Sequence, residues 1–373
     1  MTSLMTCGRN NMLTYTEMAS LFETDQFRKI DSDSNATKFY YLRSISKAEQ
    51  IKKFATEHDM NNGETAKTLV SKIYDSSTIT VNMIKSFIKR QYSNELKSRS
   101  ISNEDLVKEL NTLEFFDWGG SQANSLERNI INNYVKKMPS YHSIDVAIDN
   151  ELLKSLRGYT MNSWYNHWSS ILIEDLFKRN KNIIPTVGRI KKIDFFVNDV
   201  PFDLKVTYFP EELMKQKLKD YGFGIELTKV KQMARKLGIE IPELPDKKLN
   251  IQLQSLIAEQ GLEEGKEFIS NLKNLKKKII TDSKNDPVEL ITWLYENQGE
   301  RRFDASNRFY LILTDEHDIF QSWKLKRNIT KLKDGIDKIL QSVVSKGYKE
   351  IEFNWKETNT KYTAYSEILF ITA

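Results

Sequence analysis

Asp194, Asp203 and Lys205 lie in a stretch that reads as a β-hairpin, Arg189 to Phe209, RIKKIDFFVNDVPFDLKVTYF. Runs rich in Val, Ile, Phe, Thr and Tyr flank Asn198-Asp199, and a two-residue Asn-Asp loop suits a type I′ turn. With that loop Val197 faces Val200, Phe195 faces Phe202 and Asp194 faces Asp203. Counted from the turn, Asp194 and Asp203 form a non-hydrogen-bonded pair, the kind whose side chains lie closest. Alternation along a strand puts Asp203 and Lys205 on one face, and Asp194 joins them from across the ladder. Like charges directly opposite destabilise a sheet unless something neutralises them, and a divalent cation does so. Phe195, Phe196, Phe202, Leu204 and Val206 make both faces largely apolar, which predicts a covered, central hairpin. Charges among such neighbours are costly unless paired or metal-bound.

The preceding helix must supply any further acid. Residues 161–178, MNSWYNHWSSILIEDLFK, predict an amphipathic helix with Trp164, Trp168, Ile171 and Leu172 on one stripe, read as core packing. At 100° per residue Asp175 falls nearer the centre of that stripe than Glu174 does.

An acid on a helix, then Asp, then Asp-x-Lys at the end of a hairpin resembles the PD-(D/E)xK nuclease superfamily, whose best-known members are type II restriction endonucleases. The matching positions are Glu174, Asp194 and Asp203-Leu204-Lys205; the residue before Asp194 is Ile193 and not Pro. The resemblance implies a mixed α/β core of restriction-endonuclease type in the middle and C-terminal parts of the chain. It implies Asp194, Asp203 and Glu174 as oxygen ligands for Mg²⁺, with Mn²⁺ a second choice, since hard cations take carboxylate oxygens. Asp194, Asp203, Lys205 and Glu174 are then the catalytic set. Lys205 orients or deprotonates the attacking water, or stabilises the developing negative charge. The implied activity is Mg²⁺-dependent hydrolysis of phosphodiester bonds in double-stranded DNA, as sequence-specific restriction by a homodimer. The alternatives are a non-specific defence or repair nuclease of the same superfamily, and a non-catalytic DNA-binding protein. For the helix acid, the resemblance favours Glu174 while burial geometry keeps Asp175 open.

Composition sets bounds on these readings. The 373 residues are 39% hydrophobic and 29% charged, as in globular proteins, and can bury a substantial core. A net charge of +5 permits nucleic-acid binding without demonstrating it. One cysteine, Cys7, excludes internal disulfides and cysteine zinc sites, and His58, His142, His167 and His317 are too scattered for a histidine metal motif. No Walker loop, nucleophile elbow or dinucleotide fingerprint is present. The first residues lack an apolar leader run and no stretch approaches the length of a membrane span, so the expected location is the cytoplasm, with no membrane partner.

The elements around the hairpin read as α/β: a mixed β-sheet flanked by helices, with a mostly helical N-terminal domain over 1–150 and a nuclease domain over 151–373. Helical spacing covers Glu64–Tyr74, Val81–Tyr92, Asn103–Leu113 with Ser102 or Asn103 as its cap, and Ser125–Lys137, with a break at Leu113–Ser121. The N-terminal domain is read equally as a DNA-reading module, with Lys85, Lys89, Arg90, Lys97 and Arg99 on phosphates, or as a scaffold or dimerisation domain. Pro210 opens a helical insertion over about 210–298, whose lysine clusters are read mostly as solvated faces. Arg308–Thr314 predicts a buried strand, Asn328–Val344 an amphipathic helix, and Tyr348–Lys356 with Lys361–Thr372 a closing hairpin. Arg301, Arg302 and Arg308 are read as either backbone contacts or structural residues. Trp323-Lys324-Leu325-Lys326-Arg327 mixes an aromatic with cations, a weak signal for nucleic acid.

Overall fold

A computed structural model describes residues 12–45, 47–99, 101–114, 126–187, 193–298, 307–316, 319–355 and 359–373. Most of the expected break at Leu113–Ser121, together with Arg189, Arg301 and Arg302, lies outside them. The chain is mixed α/β, with sixteen α-helices and six strands among the described residues. It divides into two compact units, residues 1–203 with 323–346, and residues 204–322 with 347–373. The boundary expected near residue 150 falls inside the first unit.

The first unit opens on seven α-helices: α1 Tyr15–Glu23, α2 Phe27–Asp31, α3 Ala36–Ser44, α4 Ala48–Glu57, α5 Ala66–Asp75, α6 Val81–Ser98 and α7 Asn103–Asn111. Four begin at a hydroxyl that accepts a backbone N–H two or three residues into the helix, the usual repair for unpaired first-turn donors. Thr14 Oγ1 takes Glu17 N at 3.3 Å, Thr65 takes Thr68 at 3.2 Å, Thr80 takes Met83 at 3.3 Å and Ser102 takes Asp105 at 3.0 Å. Short helices α8 Leu126–Ile130 and α9 Tyr141–Ala147 each run into a π-helical turn, Ile131–Val135 and Ile148–Leu152. The helix predicted over 161–178 begins earlier, as α10 Leu153–Lys178. Its buried stripe is Asn162, Tyr165, Ser169, Leu172, Ile173 and Phe177, and the two tryptophans beside that stripe are only half-buried. The expected tryptophan-centred stripe is thus turned by about one residue, onto Tyr165.

The strands are β1 Ile183–Pro185, β2 Phe195–Val197, β3 Val200–Tyr208, β4 Arg308–Thr314, β5 Lys349–Trp355 and β6 Thr360–Thr372, ordered β1-β2-β3-β4-β6-β5. β1, β2 and the start of β3 belong to the first unit, and the remainder of β3 with β4, β5 and β6 to the second. β1 to β3 form an antiparallel meander, β4 runs parallel to β6, and β5 pairs antiparallel with β6. β4 is buried along its whole length, as a strand with layers on both faces should be.

Five helices fill the stretch between β3 and β4: α11 Glu211–Asp220, α12 Glu226–Lys236, α13 Asp246–Glu259, α14 Glu263–Asn285 and α15 Val288–Asn297. Their apolar faces and one face of the late strands, including Tyr310, Ile312, Ile351 and Phe353, make the core of the second unit. Gly265 admits α14 close to α13, since a Cβ there would meet Ile257 O at 3.0 Å. Many insertion lysines are paired with acids, as a solvated charged surface predicts: Lys217 reaches Glu289 at 2.5 Å, Lys276 reaches Glu226 at 2.6 Å and Lys284 reaches Glu316 at 2.7 Å. The final helix, α16 Ile329–Lys346, returns to the first unit. No helix is long and apolar enough to cross a membrane among the described residues.

Candidate active site

The hairpin has the register that its turn dictates. Asn198 and Asp199 both adopt positive φ, +46° and +67°, as a type I′ turn requires. Val197 pairs with Val200, Phe196 with Pro201 and Phe195 with Phe202. Both faces are covered. Phe195 stacks on Phe177 of α10 at 5.1 Å, while Phe196 meets Tyr41 of α3 at 4.4 Å and joins the core of the N-terminal helices. The turn itself is docked, with the Tyr41 hydroxyl donating to Asp199 Oδ1 at 2.7 Å and Lys85 Nζ lying 2.5 Å from the same oxygen.

Alternation on β3 then assigns the faces. Phe202 shares the α10 face with Phe195, so Asp203 and Lys205 take the opposite one, with Phe196. Asp203 is 5% exposed and Lys205 is half-buried.

Asp194 departs from expectation. The ladder ends at Phe195–Phe202, and instead of continuing it to face Asp203, Asp194 donates its N–H to Phe202 O at 2.8 Å. Phe202 therefore meets both Asp194 and Phe195, a bulge-like step that avoids registering two carboxylates directly opposite each other. The other side of Asp194 is fixed too, because Thr186 Oγ1 donates to its carbonyl at 2.9 Å. Thr186 was not among the residues singled out from sequence, and nothing in the local pattern marks it.

The two helix acids separate cleanly. Asp175 is 1% exposed and accepts the Tyr92 hydroxyl at 2.9 Å and the Arg99 guanidinium, both from α6 or its C-terminal end. Burial, and then the Asp175 carboxylate, push the Tyr92 phenol well above its ordinary range and keep it a donor. Asp175 is thus a structural acid that ties α10 to α6, as its place on the helical wheel predicts. Glu174 is half-buried and engaged by Lys178 one turn on, at 3.0 Å. No group of three or more His, Cys, Asp or Glu side chains is gathered to hold a metal among the described residues. The structure brings Asp203 and Lys205 onto one strand face and Asp194 to the base of the same hairpin. It does not gather Glu174 with them.

Three of the five cations offered as phosphate contacts are neutralised inside the unit: Lys85 by Asp199, Arg90 by Glu57 and Arg99 by Asp175. Lys89 and Lys97 remain exposed. The scaffold reading of these helices is the one this pairing favours.

The Trp323–Arg327 cluster is likewise structural. Trp323 and Lys326 are buried, the Trp323 carbonyl accepts the Tyr165 hydroxyl at 2.9 Å, and Lys326 Nζ donates to Asn166 Oδ1 at 2.8 Å. Arg327 closes the C-terminal end of α7 through the carbonyls of Leu110 and Leu113, at 2.6 and 2.9 Å. Arg308 is 4% exposed, bonded to the Tyr310 hydroxyl at 3.1 Å and set over the Tyr295 ring, contacts that brace the strand.

Compared with known proteins, the chain matches no family model, no curated protein and no solved structure.

Proposed function

We propose that this chain is a metal-dependent endonuclease that hydrolyses phosphodiester bonds in double-stranded DNA, built on a core of restriction-endonuclease type. What carries the reading is the hairpin: a buried Asp203 followed two residues later by Lys205 on the same strand face, with Asp194 held at its base. A buried carboxylate at that place has a cost that function explains better than packing does.

The donor set suits a hard divalent cation. Asp194 and Asp203 offer carboxylate oxygens, and Mg²⁺ commonly uses one or two carboxylates while keeping waters for substrate phosphates. Those two residues would hold Mg²⁺ or Mn²⁺; Glu174, the third ligand that the family resemblance assigns, is paired with Lys178 and is not gathered with them. A metal bound there supplies Lewis-acid polarisation of a phosphoryl oxygen and a more acidic water. Lys205 would orient or deprotonate the attacking water, or stabilise charge developing on the phosphate. Restriction of defined sequences by a homodimer is the form of the activity we favour, with non-specific defence or repair cleavage as the alternative.

Incubation of supercoiled plasmid with the protein and Mg²⁺ tests the proposal. Cleavage that stops in excess EDTA is the expected result, and discrete bands against a smear distinguish restriction from degradation. Undiminished cutting in EDTA, or no cutting with either metal ion, overturns it.

A further inference from the structure

Residues 126–156 form a helical arm in which apolar side chains point outward. Tyr141 is 81% exposed, Val135 56% and Leu153 52%, and Val146, Ile148 and Leu156 are exposed as well. Across α8, α9 and the two π-helical turns, Ala147 is the one buried residue. A run of exposed large apolar residues on consecutive helices marks an interaction site more than a chance distribution does. Both π-helical turns of the described chain lie in this arm, and such turns concentrate at functional positions.

The charges of the arm identify what covers it. Its first half, Leu126–Met138, carries Arg128, Lys136 and Lys137 against a single acid, Glu127. The second half, Tyr141–Leu156, carries Asp145, Asp149 and Glu151 against a single cation, Lys154. Among the described residues, Lys136 and Lys137 reach only Asn132 and Asn133 on their own turns, and Asp145, Asp149 and Glu151 make no ion pair. A surface with one basic half and one acidic half is complementary to itself when rotated by a two-fold axis.

We propose that residues 126–156 are the interface through which two copies of this chain pair isologously, the Lys136/Lys137 half of one arm lying on the Asp145/Asp149 half of the other around the shared apolar face. The nuclease reading already includes a homodimer; the arm adds the surface that makes it, and that assignment stands on exposure and charge alone. It is measured without DNA or metal.

Sedimentation velocity on the full chain and on two charge-reversed variants decides it. The wild type sediments as a dimer that weakens with added salt. Lys136→Glu/Lys137→Glu makes both halves acidic, and Asp145→Lys/Asp149→Lys makes both basic. Each variant alone loses dimer affinity by at least tenfold, while an equimolar mixture of the two recovers a heterodimer. All four positions are exposed, so the melting temperatures of the variants stay near that of the wild type, and an unchanged melt certifies that lost pairing is not lost fold. A monomeric wild type, variants that dimerise as the wild type does, or a mixture that fails to pair each overturn the proposal.

Discussion

The end of α10 and the hairpin beside it each bury an aspartate, and they do so by different means. At Asp175 the helix rotation points the carboxylate at a guanidinium and a phenol on another helix. At Asp203 the placement follows from strand register and a two-residue turn, with Lys205 two positions along the same face. Burial of a charge is common to both regions, so burial alone does not distinguish a structural acid from a functional one. The response to substitution does, and five variants measure how far the contrast extends.

The largest effect is expected at the hairpin. Asp203→Ala should lower Mg²⁺-dependent cleavage by at least 10³-fold, about 4 kcal/mol of barrier, since the metal's contribution to the transition state is lost. Lys205→Ala should lower it by roughly 10²–10⁴-fold, the span of a general acid–base group. Both variants should melt no lower than the wild type by circular dichroism. Near wild-type cutting by either removes that residue from the mechanism.

Asp175→Asn comes next, and its cost falls on the fold. Removing one member of a buried, hydrogen-bonded ion pair leaves Arg99 uncompensated, and about 3 kcal/mol of stability should be lost. Urea denaturation reads this directly, and a loss under 1 kcal/mol would make the α6–α10 tie dispensable.

Lys326 provides a third buried charge against α10. Burial holds its ammonium down to about 8, against an ordinary 10.5. The folded state therefore binds this proton less tightly than the unfolded state does, and the penalty is fully present below pH 8. It is relieved as pH rises through about 8 to 10.5, by up to roughly 3 kcal/mol. The stability of the wild type relative to Lys326→Met should accordingly increase across that window. Parallel stability curves for the two proteins would contradict the assignment.

Glu174→Gln is the mildest for the fold. A salt bridge one helical turn apart contributes about 0.5 kcal/mol, so melting should hardly change. The family resemblance expects this folded protein to be inactive. If it cuts normally, the metal set reduces to Asp194 and Asp203.

Much of this was legible in the sequence where local rules decide. The Asn198-Asp199 turn predicts its own register; Arg308–Thr314 reads as a buried strand with the observed ends; and Asn328–Val344 matches α16 to within two residues. Of the two caps the sequence offers for α7, Ser102 and Asn103, Ser102 is the one that accepts the first-turn N–H. What escaped depends on groups brought together from far along the chain. Arg99 and Asp175 are 76 positions apart, and Arg327 reaches Leu110 across 217, so both arginines looked like free surface cations. The parallel pairing of β4 with β6 is equally invisible, since each strand's own pattern is silent about its neighbour. The end of the ladder at Asp194 was missed because ideal alternation carries on until a carbonyl such as Phe202 O takes a second donor.

The docked turn also sets an order of assembly. Tyr41 and Asp199 are separated by 158 positions, and Phe196, with Val187 and Ile193, completes a core whose other buried members lie between residues 18 and 92. At about 5–20 residues per second of synthesis, roughly 8–30 s pass between the emergence of the tyrosine and that of the turn it holds. Over that interval the nascent helices present an apolar socket shaped for a phenylalanine not yet made, which is where chaperone dependence should concentrate. A fragment ending at residue 160 should melt below the same helices in the whole chain, and equal melting would show that those helices close their core unaided.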